Sequence, residues 1–108
     1  MSEPRLAAGI EVSALLARAR TLGGFGTVLR RGDAERGSLM IVLAERGKSR
    51  FLCQRLLQQN GAYGWESQEI ADSESLERQL GRARERDPDL WLIELDVPST
   101  ERFIAEMT

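Results

Sequence analysis

The 108-residue chain contains no histidine, a single cysteine (Cys53) and a single lysine (Lys48). Without imidazole it lacks the usual neutral-pH base and the commonest metal ligand, and one thiol cannot close an internal disulfide. Hydrolase triads built on serine or cysteine lose their base in the same way, so Cys53 and the scattered serines have no support as triad nucleophiles, and a lysine-assisted serine or a carboxylate-only mechanism is what stays open. Aromatic residues make up 6% of the chain. No apolar run approaches the roughly 18 residues that a membrane span needs. Residues 1–11, MSEPRLAAGIE, are broken by charge and glycine where a secretory signal needs an apolar stretch. A cytoplasmic protein is expected, with Cys53 behaving as a small buried hydrophobe, and no catalytic set, metal set or cofactor is assigned.

What is present is 42% hydrophobic and 30% charged sequence, enough for one core, so residues 1–108 are read as a single α+β domain. Leu6, Ala8, Ile10 and Val12 alternate with Arg5, Ala7, Gly9 and Glu11, which predicts a short strand, although Pro4 could equally open a longer helix. Val12, Leu15, Leu16, Ala19 and Leu22 then recur at helical spacing, with Ser13 as N-cap and Gly23-Gly24 as the stop. Phe25–Arg31 reads as a strand and 32–37 as a polar connection. Ser38–Ala44 (SLMIVLA) is apolar throughout, as in a central strand covered on both faces. A glycine turn at 45–49 leads to a strand over Arg50–Leu57. Asn60-Gly61 marks a further hairpin, after which Tyr63 and Trp65 share one strand face. Asp72 caps a second helix that Pro88 stops; Leu90–Val97 is another buried strand, and Pro98 with Ser99 or Thr100 opens a short C-terminal helix carrying Phe103, Ile104 and Met107. The expected architecture is a mixed, mainly antiparallel sheet of about five to six strands with two helices and that short third one.

Charge is unevenly distributed. Residues 30–55 hold six Arg and Lys48 against Asp33, Glu35 and Glu45, whereas residues 66–108 hold five Arg against twelve acids. Either the two regions pair with each other or face solvent, or the basic stretch faces an anionic partner. Arg30, Arg31, Asp33 and Glu35 crowd the glycine-flanked segment RRGDAERG, where arginine forks suit phosphate or carboxylate; the alternative is a charged hairpin connection. Arg50 and Arg55, with Tyr63 and Trp65 as a stacking platform, would suit RNA, against the plainer reading of the aromatics as core. Asp33, Glu35, Asp87 and Asp89 could serve a divalent-metal phosphoesterase only if three of them converge; otherwise Asp87 is a turn former and Trp91 a core anchor.

The stretches VSALLARA (12–19), VLRRGDAERGSLMIVL (28–43), YGWE (63–66) and DPDLWLIELDVPSTERFI (87–104) together resemble a small bacterial family catalogued as domain of unknown function 1491. That resemblance implies the same element order and supplies no activity, substrate or cofactor. Function is therefore expected to be recognition: a small binding or protein-interaction module with an unknown protein partner or a second copy of itself, using the basic hairpin region and the amphipathic tail. Nucleic-acid binding is the alternative and the metal phosphoesterase the third; no membrane partner is implied.

Overall fold

The computed structural model describes residues 6–107. In chain order the elements are α1 (Ala8–Thr21), β1 (Phe25–Arg30), β2 (Leu39–Glu45), β3 (Lys48–Leu57), β4 (Tyr63–Glu69), α2 (Ser73–Arg86), β5 (Trp91–Asp96) and α3 (Thr100–Met107). The strands form one sheet in the order β1-β5-β2-β3-β4, antiparallel at every junction except the parallel pair β2 and β5. This is the α+β fold with a mixed, mainly antiparallel sheet that the patterning predicts. No described helix is long and apolar enough to cross a membrane.

The two most apolar strands, β2 and β5, are adjacent in the interior of the sheet. Alternate residues of β2 and β5, Leu39, Ile41, Leu43, Trp91, Ile93 and Leu95, pack under α1 and α3 with Val12, Ala19 and Phe103. Met40, Val42, Leu52 and Leu92 fill the opposite face under Leu76 and Leu80 of α2. Each fully buried Leu or Ile contributes on the order of 1.5–3 kcal/mol, so coverage of both faces explains why β2 is apolar from Leu39 to Ala44 and why β5 admits only Glu94 and the terminal Asp96 among its apolar residues. Because α2 carries the chain from β4 to β5, β5 enters between β1 and β2, and the 31–38 segment is a crossover connection instead of a hairpin loop.

The predicted strand at Leu6–Val12 is helix: α1 starts at Ala8, and Ser13 lies inside it instead of capping it. Ala8 and Val12, four residues apart, are both buried, while Leu6 and Ile10 are exposed. The period-two pattern was therefore the sum of one buried helical pair and two surface residues. Pro4, the alternative helix opener, lies outside the described residues. With no side-chain cap, the first amides of α1 donate instead to the connection, Ala8 N–H to Glu35 O (3.3 Å) and Gly9 N–H to Ala34 O (2.8 Å). The other helix ends follow the sequence signals. Gly23, at φ +91, closes α1, and Asp72 accepts from the Ser75 amide at 2.8 Å. The apolar residues of α3 are not a free docking face: Phe103 is buried, and Ile104 and Met107 pack against the same core.

Candidate functional site

The eight residues singled out from the sequence do not form one surface. Arg30 ends β1 at one edge of the sheet, while Arg55, Tyr63 and Trp65 lie on β3 and β4 at the other, and Arg50 sits at the opposite end of β3 from Arg55. Several are already engaged. Arg55 donates to Glu11 Oε2 at 2.7 Å and lies 4.6 Å above the Trp65 ring, so one face of the supposed stacking platform is taken. Trp65 is partly buried against the core, and Tyr63 stands exposed. Arg30 donates to Pro88 O at 3.3 Å, leaving Nη1 buried without a partner, and Arg31 lies 5.6 Å from the Trp91 ring.

The RRGDAERG segment is an internal clasp. Asp33 N–H donates to Asp89 O (3.0 Å), and the Trp91 indole N–H donates to Asp33 O (2.7 Å). The Asp33 carboxylate accepts from the Arg36 and Glu35 amides at 2.8 and 2.9 Å, which holds its pKa below the ordinary value. Asp87 accepts from the Asp89 amide at 3.1 Å, the turn role expected of it, and Trp91 is the core anchor. Among the described residues no three carboxylates or other ligands converge as a metal site would require, so the phosphoesterase reading loses its geometry. Burial pushes the Cys53 thiol up to about 11, which keeps it protonated and unreactive at neutral pH.

Carboxylates elsewhere are structural as well. Glu45 Oε1 accepts from the Thr100 amide (3.0 Å) and hydroxyl (3.2 Å), tying the start of α3 to the end of β2 and lowering the Glu45 pKa. Its stabilising contribution is present above the unfolded value and is lost as pH falls through the lowered folded one. Asp96 accepts from the Arg46 and Gly47 amides at 3.2 and 2.8 Å, holding the two-residue β2–β3 turn in which both residues take positive φ.

What remains without a partner is the outer side of β1. Among the described residues no strand lies beyond it, and Phe25 (57% exposed), Val28 (41%) and Leu29 (46%) are open to solvent. Its sequence, FGTVLR, has no proline and no charge before Arg30. A bulge at Leu29 interrupts the β5 ladder between Val28 and Arg30 but leaves Phe25–Val28 regular. Phe25 adjoins Gly23, Gly24 and Pro98 at the rim of a shallow groove, beside a second lined by Leu22, Val97, Pro98 and Phe103. Sequence reasoning passed over this surface because the signal, an uncharged strand, acquires meaning only once the strand is known to be an edge.

The family model described as a protein of unknown function, DUF1491, matches residues 6–105. The crystal structure of a DUF1491 family protein from Caulobacter crescentus CB15 superposes with a TM-score of 0.74 at 29% identity, covering 88% of this chain and 91% of that one. An NMR structure of a DUF1491 family protein from the same organism gives 0.71 at 32% identity, over 88% and 89%. The solution structure of a protein from A. tumefaciens gives 0.74 at 25%, over 89% of each chain. No curated protein matches.

Proposed function

We propose that this chain, which belongs to the DUF1491 family, is a small recognition module that binds extended polypeptide along the β1 edge. The observation carrying the reading is the unpaired, uncharged run Phe25–Leu29 with three exposed apolar side chains. An edge strand presents a row of free amides and carbonyls, which supply affinity to any added strand, while alternate side chains supply selectivity. RNA binding is less well supported, because Arg55 is committed to Glu11 and Trp65, and Arg30 and Arg31 at the β1 edge are separated from Arg50 on β3 by two strands.

A photoreactive residue at Thr27, at the middle of β1, tests the reading in intact cells, with the same residue at Ser67 on β4 as control. Polypeptide adducts from position 27 and none from 67 are expected. Adducts from neither position, or from 67 alone, would overturn it.

A further inference from the structure

We infer that the occupant of the β1 edge is a second copy of this chain, its β1 antiparallel to the first across a two-fold axis at Thr27; the inference rests on the edge-recognition reading above. In a two-fold antiparallel pair within one continuous sheet, each residue faces a residue from the same side of its own sheet. The β1 ladder has the positions Phe25, Gly26, Thr27, Val28 and Arg30, with Leu29 as the extra residue of the bulge. Centred on Thr27, this set is self-complementary. Thr27 meets Thr27 of the other copy, a favourable cross-strand pair, and Gly26 leaves room for Val28. Phe25 meets Arg30, an apolar ring beside the arginine stem, while the guanidinium keeps its bond to Pro88 O.

Charge agrees with this register. Phe25 pairs across to Asp96 and Thr27 to Glu94 on β5, and among the described residues neither acid has an ion-pair partner. Antiparallel docking carries the Arg30 end of each β1 toward the Asp96 end of the other. The same operation on β4, centred on Glu66, would set Glu66 against Glu66, which is unfavourable. The result is a ten-stranded sheet across a small interface, placing the dimer among weak, concentration-dependent ones.

Sedimentation of the full chain from micromolar to high-micromolar concentration is expected to show reversible dimer. Thr27→Lys sets two ammonium groups face to face at the axis, yet each can pair with Glu94 of its own chain, so the variant folds and its dimerisation weakens by about tenfold or more. Thr27→Cys, with Cys53 buried, is expected to cross-link under mild oxidation, and Ser67→Cys is not. A chain that stays monomeric throughout, or a dimer indifferent to Thr27→Lys, overturns the inference. If position 27 meanwhile yields photo-adducts only to a different protein, the edge reading stands and the second copy is wrong; if it yields none, both fail.

Discussion

The two edges of the sheet are built differently. β4 carries Glu66 and Glu69, with Ser67 and Gln68 between them, all exposed, and charges of this kind discourage a further strand. β1 carries Phe25, Val28 and Leu29 and keeps its one charge at its end. The edges also differ behind the strand. β1 is pressed close against its neighbours, whereas β4 is held by two polar anchors, Arg55 between Glu11 and Trp65, and Gln68, which accepts from Gln79 of α2 at 3.2 Å. That contrast, one edge guarded by charge and the other left open, is what the proposed recognition at β1 rests on.

The largest test of that contrast is at the glycines. A Cβ on Gly24, just ahead of β1, would run into the Asp96 carbonyl oxygen and carbon, which are backbone atoms that cannot swing aside. Gly24→Ala is expected to cost about 3 kcal/mol or more. On β4, a Cβ at Gly64 meets only the Gln58 side chain, 3.3 Å away at its closest atom, which can yield. Gly64→Ala is expected within about 0.5 kcal/mol of the parent, since the slight strain it introduces and the chain stiffness it gains nearly cancel. Urea unfolding of both variants measures the difference; equal losses would show that β1 is no more tightly seated than β4.

Next in size is the Arg55 anchor behind β4. Arg55 and Glu11 are mostly buried, with 24% and 13% of their side chains exposed. Arg55→Ala strands the Glu11 carboxylate, whose Oε1 already lacks a partner, and uncovers the Trp65 ring. A loss of about 1–3 kcal/mol follows, and Glu11→Gln in the same chain should restore part of it by removing the stranded charge. Full additivity of the two changes in a double-mutant cycle would mean that the pair is not coupled.

Much of this fold was legible because its interior strands are dominated by apolar residues: SLMIVLA and LWLIELDV admit few other readings. The terminal pieces were less so. Leu6–Val12 alternates like a strand because two of its apolar residues are simply exposed, Leu6 ahead of α1 and Ile10 on its outer face. Strand order was hidden, since nothing local tells β5 to enter between β1 and β2, and the site depends on that order. Arg30, Arg31, Arg50 and Arg55 looked like a cluster because they are close in sequence, yet the sheet distributes them over two edges and two ends. Asp33 and Asp87 carried the clearest local signal, and both became turn-forming acceptors.

The smallest change in stability tests the contrast most directly. Glu66 and Glu69 are exposed and form no ion pair among the described residues, so replacing both with threonine should alter stability by about 0.5 kcal/mol or less. Threonine suits a strand, and the altered β4 presents an uncharged edge like that of β1. If charge is the guard, Glu66→Cys with Glu69→Thr, which puts the thiol on the β4 axis, gains cross-linking, while Thr27→Cys cross-links as before. If Glu66→Cys with Glu69→Thr stays inert, the guard on β4 is its geometry, and β1 must owe its openness to shape as well as to its lack of charge.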